Sequence, residues 1–317
     1  MAAVSNILFL VHRLPYPPNK GDKVRSYHLL RHLLKSHRVF LGTFIDDPED
    51  EQYLPVLRAL CPDLHVERLQ PRTAKIRSLS ALATGEALTL AYYHRPSLAA
   101  WVQGVAAQHD LRASVVFSSA MAPYAQALAP DVPMLVDFVD VDSAKWSQYA
   151  DKHRWPLSWL YRREGRTLLA YERVVAAQAR QSFFVTSNEV DLFLRLAPEC
   201  TATVQAMSNG VDADFFAPDA ARPNPYSADE LPVVFTGAMD YWPNIDGVSW
   251  FTADVLPRLM AHWPRVHFYI VGRNPPSQVT ALAGTNVTVT GTVPDVRPYL
   301  QHAAVVVAPL RVARGIQ

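Results

Sequence analysis

The sequence has 317 residues, half of them apolar, with a formal net charge of +1 at neutral pH. That is more chain than one buried core usually needs, and a charge so near zero excludes the electrostatic footprint of a generic nucleic-acid binder. Cys61 and Cys200 are the two cysteines, which gives neither a zinc spacing nor a disulfide framework and favours a reducing compartment.

In chain order, residues 6–11 form a short apolar run. It is too short to cross a membrane, and no basic residue precedes it as in a signal peptide, so it reads as a first buried strand. No later run reaches the length of a membrane span, and the chain is expected in the cytoplasm. A loop with Pro15, Pro17 and Pro18 follows. Lys20-Gly21-Asp22 then opens a helix over residues 22–35, with Asp22 as N-cap and Val24, Tyr27, Leu30 and Leu34 on one stripe. A second strand over 39–44 completes a βαβ unit. The alternation continues with strands at 64–69, 114–117, 134–138, 182–185 and 203–206. Helices are expected at 74–83, 97–108, 157–179 and 188–196.

Residues 216–231, with Pro218, Pro223 and Pro225, read as a linker. The pattern then restarts, with strands at 233–236, 266–271, 287–290 and 305–308 and a helix at 247–260. The expected architecture is α/β: a Rossmann-like doubly wound parallel sheet over residues 1–215, the linker, and a second, incomplete sheet of the same kind over 232–317, with a cleft between them. The chain stops at a strand-end loop before a covering helix, which reads as truncation.

In such sheets ligands lie beyond the carboxyl ends of the strands, so strand-end residues carry the site. Gly21 and Asp22 at the first helix start, Gly237 and Asn244 after the first strand of the second half, and Arg273, Arg311 and Gly315 after later strands are candidates for phosphate, because backbone N–H groups and guanidinium forks suit that anion. Plain turns and solvated charges are the competing readings. Gly272, Thr292 and Val293 stand where backbone groups touch a nucleobase. Asp137 and Asp140 lie in a run of acids after the strand at 134–138. Three readings fit that run: a carboxylate that positions an acceptor hydroxyl, a divalent-metal pair at Asp140 and Asp142, or turn and cap chemistry. Residues 152–166 interleave basic side chains with Trp155, Trp159 and Arg162. That pattern fits an anionic membrane surface, and equally a bland amphipathic helix.

Together these segments resemble glycosyltransferase family four, of the GT-B fold. Ser208-Asn209-Gly210-Val211-Asp212 with Phe215-Phe216 is similar to that family's segment before the linker. Phe235-Thr236-Gly237, Ile270-Val271-Gly272, Gly291-Thr292-Val293 and Val307-Ala308-Pro309-Leu310 with Gly315 are similar to its donor-domain strand ends. The segments around Gly21, Ser118, Asp137 and Gly237 resemble its exopolysaccharide-associated branch.

The resemblance implies a retaining transferase that takes a sugar from a UDP- or GDP-type donor to a glycan or lipid-linked acceptor, with no cofactor and no essential metal. The near-zero charge adds the expectation of no nucleic-acid partner, the short apolar runs that of a cytoplasmic setting, and residues 152–166 leave peripheral membrane contact open. A sugar-nucleotide epimerase and a non-catalytic glycan-binding relative are the alternatives. The chain departs from the family in lacking the Arg/Lys pair after Gly237, a His within 137–142, and the two-glutamate motif, so weak donor binding and poor turnover are expected of it.

Overall fold

The computed structural model describes residues 5–18 and 21–311. Within them the apolar runs become parallel strands. These are β1 (Ser5–Val11), β2 (His37–Ile45), β3 (Leu64–Arg68), β4 (Leu111–Phe117), β5 (Met134–Val139), β6 (Gln181–Phe184), β7 (Val204–Ala206), β8 (Leu231–Thr236), β9 (Val266–Val271), β10 (Val287–Gly291) and β11 (Val305–Val306). β1 shows why a continuous apolar run suits a sheet covered on both faces. Leu8 and Leu10 enter one core cluster, while Ile7, Phe9 and Val11 enter the cluster on the other side. In the second sheet Val233 and Phe235 of β8 pack one way and Val234 the other.

The first sheet runs β3-β2-β1-β4-β5-β6-β7 and the second β10-β9-β8-β11. Each reverses direction beside its first strand, between β1 and β4 and between β8 and β11. That reversal splays the crossovers apart and leaves a crevice at the carboxyl ends of the strands. The described residues divide into two compact units that meet in sequence at Asn209 and Gly210. Residues 210–230 form neither strand nor helix and cluster with the second unit. This is the doubly wound α/β architecture, of GT-B type, expected from the pattern.

Several helices differ from expectation. The stretch at 74–83 is two helices, Pro71–Ser78 and Ala81–Thr84. Helices Leu88–Tyr93, Asp142–Lys152 and Arg297–His302 were not anticipated. A parallel crossover between β10 and β11 needs an element such as the last of these. The helix expected from 247 begins at Trp242, because Pro243 sits in the first turn, where its missing N–H has no partner to lose. It continues through a π turn, Phe251–Val255, to His262.

Helices Asp142–Lys152 and Leu157–Gln178 pack closely at Gly165. A Cβ there would press on the backbone oxygen of Ser143 and the side chain of Ser147. No helix of the described residues is long and apolar enough to cross a membrane.

Candidate functional site

In the first unit, His12 and Arg13 leave the end of β1, Ser118 leaves β4, and residues 139–142 leave β5. The His12 ring stacks on Phe117 with centroids 5.8 Å apart and meets Tyr93 edge-on. Its Nδ1 is 3.3 Å from the Phe117 carbonyl. A carbonyl only accepts, so Nδ1 carries the proton in that bond and Nε2 offers a lone pair. Nε2 stands 3.8 Å from Asp22. Burial lowers the His12 pKa although Asp22 opposes it, which keeps the ring neutral at physiological pH.

Arg13 bridges two carboxylates, donating to Asp22 at 2.8 Å and to Asp46 at 2.8 Å and 3.0 Å. Burial raises the Asp22 pKa, but Arg13 and His12 outweigh it and hold the acid below the usual range. A Cβ on Gly21 would meet nothing within 4 Å, so packing does not demand glycine at this helix start. Lys20 lies outside the described residues.

The acid run after β5 splits by environment. Asp137 is buried and receives a two-pronged bond from Arg25, at 2.7 Å and 3.1 Å. Arg25 also donates to Asn209 at 2.8 Å. Asp137 is thereby the buried counter-ion of Arg25 inside the unit, not the free carboxylate that its reading as a catalytic group needs. The backbone then turns sharply. Val139 has φ of 69°, a left-handed conformation that costs a β-branched residue about 1–3 kcal/mol, and the β5–β6 register shifts beside it. Beyond the turn Lys145 donates to Asp140 at 2.6 Å and to Asp142 at 3.1 Å. Its ammonium stands where a metal ion would sit in the metal-pair reading. Among the described residues no group of three or more His, Cys, Asp or Glu converges as a metal site. The second oxygen of Asp140, Oδ1, is buried without a hydrogen-bond partner. A buried acceptor is costly to leave unpaired, so this atom is suited to a ligand hydroxyl.

Behind the cluster, Glu172 accepts from the Ser143 hydroxyl at 2.5 Å and from its backbone N–H at 3.3 Å. Burial, reinforced by Asp142, pushes its pKa to about 8, from an ordinary value of 4.5. A raised acid holds its proton in the folded state longer than in the unfolded one. Its stabilising contribution is therefore complete below pH 4.5 and is lost as pH rises through about 8. Wild type should lose stability over that window with a slope of about 1.4 kcal/mol per pH unit from this group. Glu172→Gln should flatten the slope in denaturation curves taken between pH 5 and pH 8, and an unchanged slope would refute the assignment.

Trp155, Trp159 and Arg162 are exposed at the start of helix Leu157–Gln178. Arg162 lies 3.7 Å from Asp151. Asp151 is nine residues along its helix from Asp142, about 14 Å at the helical rise, so this group does not join the strand-end cluster.

In the second unit, the ends of β8 and β9 touch through their glycines. A Cβ on Gly272 would overlap the Gly237 carbonyl, lying 2.8 Å from its carbon and closer to its oxygen. Gly237 N–H donates to Val271 and Met239 N–H to Arg273, closing the loop that leads to the helix at Trp242. Asn244 donates to the Ala238 carbonyl at 2.8 Å, so one of its two N–H donors shapes this loop. Arg273 lies 3.8 Å from Asp240, while its Nε is buried and has no partner among the described residues. Arg311 pairs with Asp246, at 2.9 Å through Nε. Gly247 lets this helix approach the Pro309 carbonyl. After β10, Thr292 is exposed, whereas Val293 packs onto Tyr226 and Tyr269. Gly315 and Arg314 lie outside the described residues.

The structure thus gathers Asp22 and Asp140 with His12, Arg13 and Lys145 at the strand ends of the first unit. In the second it gathers Gly237, Asn244, Gly272 and Arg273. His12 and Arg13 escaped the sequence reading, although the strand-end rule applied to residues 6–11 singles them out.

Residues 230–317 match the family described as "Glycosyl transferases group 1". No curated protein sequence matches the chain significantly. Among solved structures, sucrose-phosphate synthase from Thermosynechococcus elongatus is similar over 96% of this chain and 75% of its own, with 18% identity and a TM-score of 0.62. "Trehalose-6-phosphate from E. coli bound with UDP-2-fluoro glucose" is similar over 99% and 80%, with 12% identity and a TM-score of 0.60. Anabaena HepE in complex with UDP and glucose covers 95% and 73%, with 15% identity and a TM-score of 0.57. At these identities the likeness establishes the fold.

Proposed function

We propose that this chain, a GT-B protein whose residues 230–317 match Glycosyl transferases group 1, is a retaining glycosyltransferase. It moves a sugar from a UDP- or GDP-type donor to a glycan or lipid-linked acceptor, in the synthesis of exopolysaccharide or another cell-surface glycan. The observation that carries the reading is the second unit's strand-end loop. There Gly237 and Gly272 clear side chains from the backbone, and Arg273, whose Nε has no partner among the described residues, comes within 3.8 Å of Asp240 in the loop before helix Trp242–Trp250. A strand-end loop cleared by glycines and a guanidinium with an unused donor form the chemistry that receives a diphosphate. Two of the solved structures of this fold carry UDP or a UDP-sugar, which supports the donor class.

In this reading the bond between the sugar's anomeric carbon and the diphosphate oxygen breaks, and the acceptor oxygen bonds to that carbon on the same face. The acceptor proton passes to the departing diphosphate. The second unit's part is to stabilise the charge that develops on the leaving group. In the first unit, Asp140 Oδ1 and His12 Nε2 accept from acceptor hydroxyls and fix their orientation. The reading includes no essential metal, because the Lys145 ammonium already pairs with both Asp140 and Asp142.

The test is a panel of UDP- and GDP-sugars, with release of free nucleotide followed with and without an oligosaccharide or lipid-linked acceptor. Release that needs the acceptor supports the transferase, whereas donor processing without it points to an epimerase. Arg273→Ala should weaken donor affinity roughly 10- to 100-fold, the worth of a charge-assisted hydrogen bond. Unchanged affinity would remove Arg273 from the donor site.

A further inference from the structure

Glu164, Glu172 and Glu189 are the buried glutamates among the described residues. A carboxyl group inside a core needs hydrogen-bond partners, and each of the three finds them on the backbone. Glu164 accepts from the N–H groups of Leu88 and Thr89, at 2.6 Å and 2.9 Å. Glu172 takes the N–H and hydroxyl of Ser143. Glu189 takes the N–H of Val141 at 2.8 Å. Thr186 and Glu189 have the spacing of a capping box, and Thr186 makes its half, accepting from the Glu189 N–H at 3.1 Å. One oxygen of Glu189 nevertheless crosses to another element.

Two of these partners lie in the loop after β5. Asp137 Oδ1 takes the N–H of Val139 at 3.2 Å, Glu189 that of Val141 and Glu172 that of Ser143. Every second N–H from 139 to 143 thus ends on a buried carboxyl group. The three come in turn from β5, helix Ser187–Leu196 and helix Leu157–Gln178. The residues between them, Asp140 and Asp142, send their carboxylates to Lys145 instead. An N–H that has left the ladder must find another partner when buried. The left-handed Val139 keeps its conformation only where its surroundings over-determine it. Glu164 gives the same support to helix Leu88–Tyr93, whose last residue sets its ring edge-on to His12.

We propose that Glu189 is a positioning residue for the acceptor. With Glu172 at the next N–H but one, it holds the loop so that Asp140 keeps its unpartnered Oδ1 turned to an acceptor hydroxyl. The proposal rests on the assignment of the acceptor to the first unit. Glu189 is 4% exposed and acts through the Val141 N–H, not by touching the acceptor. A displacement of about 1 Å in a group that orients substrate costs roughly 100-fold in rate, so one lost backbone anchor is enough to be measured.

Amide hydrogen exchange on the full chain reads the anchor directly and needs no substrate. Glu189→Ala should speed exchange across residues 140–144 by about tenfold or more and leave β1 and β4 protected. Glu189→Gln, whose amide oxygen still accepts, should exchange like wild type. Transfer is then followed with the UDP- or GDP-sugar and the acceptor that react in the panel above. Glu189→Ala should lower kcat/KM for the acceptor roughly 10- to 100-fold with the donor KM unchanged, and Glu189→Gln should restore it. A merely structural loss would lower kcat alone, in step with the fraction folded. If Glu189→Ala melts below the assay temperature, Glu189→Asp, one methylene too short to reach Val141, takes its place. Wild-type exchange in the shortened variant, an unchanged acceptor kcat/KM, or donor and acceptor constants that move together would overturn the proposal and leave the transferase standing. No transfer from any donor of the panel would remove the transferase reading and this proposal with it.

Discussion

Replacing Arg25 with alanine should lower the stability of the first unit by about 3–5 kcal/mol, the cost of orphaning one partner of a buried ion pair. The two side chains are 6% and 1% exposed, so water cannot take the guanidinium's place beside Asp137. The carboxylate would have to bind a proton or remain charged in an apolar setting, with Phe138 and Val136 as its chain neighbours in the core. Asn209, at the junction of the two units, would lose the same guanidinium. The measurement is the shift of the first unit's transition in denaturant. Arg25→Met combined with Asp137→Leu should recover much of the loss, because an apolar pair of similar volume leaves no charge unpaired. A single variant within about 1 kcal/mol of wild type would contradict the pair's burial.

The second large effect falls on the other unit. Gly272→Ala should destabilise it by about 3 kcal/mol or more, since overpacking that must move backbone exceeds the usual cost of an extra methyl group. The added Cβ would overlap the carbonyl of Gly237, which cannot swing aside as a side chain would. The ends of β8 and β9 must separate, and the bonds from Gly237 N–H to Val271 and from Met239 N–H to Arg273 are lost with them. Donor binding should fall together with the melting temperature of this unit. Gly21→Ala is the matched comparison, because the space around that position is open, and it should leave stability within about 0.5 kcal/mol. Equal behaviour of the two variants would count against the contact.

The parts of the fold that read directly from the chain are those whose signal is local. Leu8–Val11 and Val233–Phe235 are unbroken apolar runs, and a strand covered on both faces is the structure that uses them. The order of strands follows from the need for crossovers. Helix Leu88–Tyr93 has no such signal. Its start is held by Glu164, and neither six residues of chain nor their periodicity announces that partner. Pro243 in a first turn is compatible with the helix start at Trp242, earlier than the expected 247.

The site divides in the same way. Gly237 and Gly272 stand at strand ends and were legible there. Asp137 stands at a strand end too, yet Arg25, 112 residues earlier, claims it. Burial separates Asp137 from Asp140, and burial is a property of the folded chain. His12 becomes conspicuous once Phe117 and Tyr93 close around its ring, which requires β1, β4 and the helix between them to be in place.

The long-range anchor at Glu164 also has a meaning for how the protein is made. Leu88 leaves the ribosome 76 residues ahead of the carboxylate that will hold it. At ordinary translation speeds that is a wait of roughly 4–15 s. For that interval the excursion between β3 and β4 must stay soluble on its own composition, and the lysine and arginines among its first fifteen residues serve as gatekeepers against premature association of Ile76 and Leu79.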